Sequence, residues 1–252
     1  MPFKVLVKER RKREESSDDD NMVYAEVPSV YRRYTSQEYI DTGKEAMRVA
    51  LIWLEAVDSW QKLSHNPFIK AANDKIYGRI LYLKTELCID SNALFRILYY
   101  ENDQSPTWNK TIASSKSILR INESTDVTYS TTTPALFGKI SPRDFLDVRY
   151  LEKESVGSGH SRGGVYKIAV ASVKSTLREP ERHSKYTRGE NGPNIFVIKP
   201  ATDNPSKSTL EWILNTNLKG NLPQRLVESN LKSFLIQYQR NLESYVNSLV
   251  SQ

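Results

Sequence analysis

Apolar side chains recur along this chain with two different periods, and the switches between them divide it into elements. Ile40, Gly43, Met47, Ala50, Leu51, Leu54 and Val57 fall at three- and four-residue steps, the spacing of one helix face. Thr35-Ser36-Gln37-Glu38 fits a capping box, so this first helix is predicted to start at Thr35. Asn73 to Tyr77 and Arg79 to Ile89 read as strands, the second long and alternating. Ser91 to Tyr100 carries Leu94, Phe95, Leu98 and Tyr99 and reads as a short helix. Lys116 to Ile121 and Asp126 to Ser130 form a predicted hairpin about Asn122-Glu123-Ser124-Thr125. Further strands are predicted at Asp144 to Lys153, Val165 to Val173, Asn194 to Pro200 and Leu210 to Asn215.

The last segment returns to the helical period. Pro223, whose fixed φ suits a first helical turn, precedes Val227, Leu231, Phe234, Tyr238, Leu242, Tyr245 and Leu249 on one stripe. Leu226, Leu235 and Val246 widen it. Such a stripe over roughly seven turns must lie on an extended apolar surface. A strongly bent antiparallel sheet gripping the helix would supply one, which makes the fold class α+β.

Residues 1 to 34 lack such patterning. Lys8-Glu9-Arg10-Arg11-Lys12-Arg13 is a basic block and Glu14-Glu15-Ser16-Ser17-Asp18-Asp19-Asp20 an acidic one, so a disordered charged tail is expected, followed by one domain over 35–252. The tail reads as solvated, with membrane-surface binding, nuclear import or phosphorylation as alternatives. The formal net charge of +6 reads as a mildly basic solvated surface, and no RNP-type, zinc-finger or recognition-helix pattern accompanies it, so no nucleic-acid partner is expected. No apolar run approaches the ~20 residues that span a bilayer. The first residues are too short in their apolar part for a secretory signal, and the single Cys88 is what a reducing compartment permits. A cytoplasmic protein is therefore expected.

Chemistry is not visible in the motifs. His65 precedes Asn66-Pro67, His160 sits in a Gly/Ser loop spanning 155–164, and His183 follows Glu181-Arg182; all three read as exposed loop residues. There is no metal-ligand spacing, and the Gly/Ser loop matches neither phosphate-binding pattern. Cys88, inside an apolar strand, reads as inert core filling. No catalytic residue, metal or cofactor is expected, and the chain is read as not an enzyme. Asn109-Lys110-Thr111 and Asn122-Glu123-Ser124 match glycosylation acceptors that a cytoplasmic protein leaves bare.

Four segments carry a resemblance. They are Gln104 to Thr111 with Trp108-Asn109-Lys110-Thr111, Ser141-Pro142-Arg143-Asp144-Phe145-Leu146-Asp147-Val148-Arg149, Tyr186 to Pro193, and Trp212 to Pro223. In order and spacing they resemble the START (StAR-related lipid transfer) domain, in its steroidogenic acute regulatory and late-endosomal sterol-transfer branch, over roughly residues 36 to 250. The resemblance implies a helix-grip fold, a curved antiparallel sheet wrapped around a long C-terminal helix, with one internal lipid tunnel. It also implies a monomeric, non-enzymatic carrier of one hydrophobic ligand, cholesterol or a related sterol, in transient contact with membrane surfaces. A carotenoid in the same tunnel and a membrane-regulated scaffold are the alternatives. The loop over 131–142 and the C-terminal helix would form the lid, with Thr132, Leu136 and Phe137 as its residues on the loop.

In relatives, the arginine matching Arg149 pairs inside the tunnel with an acidic residue on the preceding strand, and the resemblance implies that the pair orients the ligand hydroxyl. The resemblance puts Ser130 at the acid's position, and a buried guanidinium without a counter-charge costs several kcal/mol. Asp147, two residues before Arg149 and on the same strand face, is expected to serve as counter-ion, with Ser130 bonding the ligand or Arg149. Alternatively Asp147 faces solvent and Arg149 finds another partner. Arg149→Ala is expected to weaken ligand binding at modest cost to the fold. Asn109 matches a polar tunnel position, or is a satisfied loop asparagine. Phe234 and Tyr238 are expected wall contacts, while Trp108 and Trp212 are read as packing against the sheet.

Overall fold

The computed structural model describes residues 30–135, 138–155, 163–178 and 185–251. Helix α1 (Ser36–Glu55) begins where the capping box predicts: the Thr35 hydroxyl accepts from the Glu38 backbone, and the Glu38 carboxylate accepts from that of Thr35. Three strands follow: β1 (Gln61–His65), β2 (Phe68–Asp74) and β3 (Gly78–Leu87). Next come α2 (Ser91–Phe95), a π turn over Arg96–Tyr100 and α3 (Ser105–Trp108). The central strands are β4 (Ile112–Asn122), β5 (Thr125–Thr132), β6 (Arg143–Ser155) and β7 (Gly164–Ser172). Two-residue strands β8 (Thr187–Arg188) and β9 (Glu190–Asn191) precede β10 (Asn194–Pro200), β11 (Ser208–Leu214) and β12 (Thr216–Asn217). Helix α4 (Gln224–Val250) closes the fold.

The main sheet runs β1-β2-β3-β11-β10-β7-β6-β5-β4 with antiparallel neighbours, while β8 adds to β6 in parallel and β9 pairs with β12. Both faces are covered, which explains why alternate residues of one strand bury in different cores. On β3, Ile80 and Tyr82 pack with Met47, Ala50 and Trp53 of α1. Leu81 and Leu83 pack on the opposite face with Leu231, Leu235, Leu242 and Val246 of α4. The α+β helix-grip arrangement is thus the observed one.

Several elements differ from expectation. The strand placed at 73–77 is only the end of β2, whose start was hidden by Lys70 in the run Phe68-Ile69-Lys70-Ala71-Ala72. Lys70 is buried because its ammonium donates to the carbonyls of Val57 and Asp58 at 3.0 and 3.2 Å. Residues 75–77 are the turn, where Asp74 accepts from the backbones of Ile76 and Tyr77. The polar edge strand β1, Gln61-Lys62-Leu63-Ser64-His65, gave no apolar alternation to detect. Cys88 lies just past β3 and is exposed, not core filling. On α4 the buried line runs through Leu231, Leu235, Leu242 and Val246, and Leu249 projects beyond the sheet at 40% exposure.

Residues 30 to 34, read with the tail, lie along the domain: the Arg32 backbone donates to the carbonyl of Lys174 at 3.0 Å and Tyr34 stacks on Tyr39. The rest of the expected tail, most of the Gly/Ser loop, His160 and His183 lie outside the described residues. Among the described residues no helix is long and apolar enough to cross a membrane.

Candidate functional site

A cavity of about 440 Å³ lies between the inner sheet face and α4, within the roughly 300–1,000 Å³ usual for small-molecule pockets. Its two walls differ in kind. Ile168, Val170, Phe196, Trp212 and Leu214 of β7, β10 and β11 make one wall mostly hydrocarbon. Phe234 and Tyr238 of α4 close over it, with Trp212 tilted against Tyr238 at 4.7 Å between ring centroids. Trp108 also lines the cavity, stacked on Tyr245 at 5.9 Å. Both tryptophans therefore pack and line at once. Burial pushes the Tyr238 hydroxyl above its ordinary pKa, so it stays neutral.

The second wall comes from β5 and β6, and its chemistry follows from their register. Asp126 stands opposite Arg149, Thr128 opposite Asp147, and Ser130 opposite Phe145. Because side chains alternate across a strand, Asp126, Thr128, Ser130 and Thr132 share the inner face with Arg143, Phe145, Asp147 and Arg149. Arg149 forms a two-point pair with Asp126, Nε to Oδ1 at 2.9 Å and Nη2 to Oδ2 at 2.6 Å, with both side chains buried. Ser117 donates to the same carboxylate at 2.8 Å, and Arg120 lies 3.6 Å from it. The guanidinium sits over the Tyr99 ring, 4.3 Å from its centroid. Arg149 Nη1 is buried with no hydrogen-bond partner among the described residues.

The counter-ion is thus Asp126, which corrects the expectation that Ser130 holds the acid's place and that Asp147 replaces it. Asp147 is turned to other partners: Ser172 Oγ donates to it at 2.5 Å and Asn191 Nδ2 at 2.8 Å. Burial raises its pKa above the usual aspartate value, opposed by those two hydrogen bonds and by the charge of Arg188. Asp147 still lines the cavity, as do Ser130, Asn109, Phe234, Tyr238 and Thr132. Asn109 is also a satisfied loop residue, accepting from the backbone and hydroxyl of Thr111 at 3.2 and 2.7 Å. Leu136 and Phe137 lie outside the described residues.

Arg143 was not singled out from sequence. It is buried, and its donors reach Ser141 O, Ser141 Oγ, Leu218 O and Lys219 O at 2.5 to 3.1 Å. One side chain therefore ties the loop before β6 to the segment leading into α4, and Arg143 itself lines the cavity. Burial holds its pKa below the ordinary arginine value. The sequence clue was faint, an arginine on the same face as Arg149.

The START domain family model matches residues 41–251. Steroidogenic acute regulatory protein, mitochondrial, of Rattus norvegicus is 27% identical over 220 residues, which cover 85% of this chain and 74% of that protein. Its counterpart in Salvelinus fontinalis is 26% identical over 211 residues, covering 81% and 69%. Among solved structures, human StAR-related lipid transfer protein 5 superposes with a TM-score of 0.75 at 18% identity, over 85% of this chain and 99% of that one. Human STARD10 does so with a TM-score of 0.59 at 17% identity, over 84% and 81%.

Proposed function

The chain belongs to the START domain family, and from that membership we propose that it carries one hydrophobic molecule, a sterol, between membranes without chemical change. The observation that carries this reading is the cavity beneath α4, one wall hydrocarbon and the other bearing the buried Arg149–Asp126 pair. A sterol hydroxyl would take its hydrogen bond at Arg149, and its rings would lie against Phe196, Trp212 and Phe234. The steroidogenic naming of the relatives supports a sterol over other lipids.

Energetics favour carriage over permanent capture. Burying on the order of 400 Å² of apolar surface contributes roughly 10 kcal/mol at about 25 cal/mol per Å². A ceiling near 0.3 kcal/mol per heavy atom gives about 8 kcal/mol, or micromolar affinity. A bilayer competes for the sterol by the same effect, so release is easy. The loop containing Thr132 would act with α4 as the lid, and its apolar tip at Leu136 and Phe137 would touch the membrane. The protein would work as a cytoplasmic monomer.

Native mass spectrometry with an absorbance spectrum, on protein purified from its own tissue, tests the reading. A colourless complex with one sterol supports it. A yellow preparation absorbing blue light replaces the sterol with a carotenoid, and protein that never extracts lipid from liposomes points instead to a scaffold.

A further inference from the structure

The polar wall is longer than a ligand with one hydroxyl needs. Four successive cross-strand rows of β5 and β6 reach the cavity: Arg149, backed by Asp126; Thr128 with Asp147; Ser130 with Phe145; and Thr132 beside Arg143. Each row carries at least one polar side chain, and rows on one strand face are about 6.7 Å apart, so the strip runs about 20 Å. A lone hydroxyl engages one row and leaves the others against hydrocarbon.

Three rows also hold spare hydrogen-bonding capacity. In the first, Arg149 Nη1 is buried and unpartnered among the described residues. In the second, the Thr128 hydroxyl has only a long contact, 3.4 Å, to the carbonyl of Asp147. In the third, the Ser130 hydroxyl makes no hydrogen bond among the described residues, although Ser130 lines the cavity. A polar group buried against hydrocarbon without a partner costs about 1–3 kcal/mol, so these rows fit a ligand that brings its own oxygens. On the opposite wall of Ile168, Val170, Phe196, Trp212 and Leu214, the one comparable group is the Trp212 indole N–H, buried without a partner among the described residues.

Resting on the sterol reading above, we propose that the preferred ligand is a polyhydroxylated sterol, with oxygens spaced along one edge of its ring system so that they meet successive rows at Arg149, Thr128 and Ser130. This chemistry disfavours a long chain with polar groups only at its ends. It also makes Thr128 and Ser130 specificity residues, because a site built to hydrogen-bond a hydroxyl discriminates against the analogue lacking it.

The test compares cholesterol with a cholestane triol, measuring equilibrium binding to the full chain as wild type, Ser130→Ala, and Thr128→Val with Ser130→Ala. Wild type is expected to bind the triol at least as tightly as cholesterol. The double substitution should shift the affinity ratio toward cholesterol by about ten-fold, and Ser130→Ala by about half that on a logarithmic scale. The single variant, with one small truncation at the cavity wall, keeps the test decisive if the double variant unfolds. Cholesterol bound tighter than the triol, or a ratio unchanged by the substitutions, overturns this inference alone. Failure of both sterols to bind overturns the sterol reading with it.

Discussion

Asp126 and Arg149 face each other in register across β5 and β6, and their side chains close a two-point pair inside the fold. A buried pair is strongly destabilised when one partner is removed, because the other charge is left uncompensated. Asp126→Ala and Arg149→Ala are each expected to cost about 3–5 kcal/mol, and replacing both residues with apolar ones should restore most of that. Urea titration of the four proteins checks it. The modest loss expected for Arg149→Ala from sequence is thereby revised upward.

Asp147 gives the fold a pH dependence. Its folded-state pKa lies above the ordinary aspartate value, chiefly through burial, so the folded chain holds the proton more tightly than the unfolded one. Its contribution is full below the ordinary aspartate pKa and is lost as pH rises through the raised value. Asp147→Asn should therefore stabilise at neutral pH, read as a rise in Tm, with the gain vanishing in acid. A gain that persists unchanged at low pH would show that another group titrates.

Gly43 in the middle of α1 sets two principles against each other. Alanine gains about 1 kcal/mol over glycine in a helix interior. A Cβ at Gly43, however, would lie 2.5 Å from Cβ of Tyr150 on β6. Overpacking of this kind costs about 1–3 kcal/mol, so Gly43→Ala should be net destabilising in thermal denaturation.

The clasp of Arg143 predicts a local effect. Arg143→Met removes donors from Leu218 O and Lys219 O, each within 3.1 Å, leaving a buried acceptor at Leu218 and a part-buried one at Lys219 unmatched. The expected cost is on the order of 3 kcal/mol, with hydrogen exchange rising together at 139–142 and 218–221. Faster exchange in only one of the two segments would contradict the clasp.

How far these features can be read from sequence depends on how local they are. The capping box at Thr35 and Glu38, strand β10 and the helix after Pro223 depend on neighbours in the chain, and the residues that specify them are adjacent. Asp126 was already placed at the start of a predicted strand, yet its partnership with Arg149 was missed. Register across β5 and β6 fixes that pair, and the connection from Thr133 to Pro142 is too long for its sequence to set that register in advance. A displacement of four residues, from Asp126 to Ser130, keeps the same strand face, so alternation alone does not expose it. Lys70 misled for a related reason, since only the fold reveals the carbonyls of Val57 and Asp58 that receive its charge.

The central claim is that one sterol occupies the cavity between α4 and the Arg149 wall. Native mass spectrometry after incubation with sterol-containing liposomes tests it most directly, using wild type and a folded Val170→Trp variant that fills the space. The account predicts a one-to-one sterol complex for wild type and none for Val170→Trp. Lipid-free wild type, or a complex that survives in the filled variant, would contradict it.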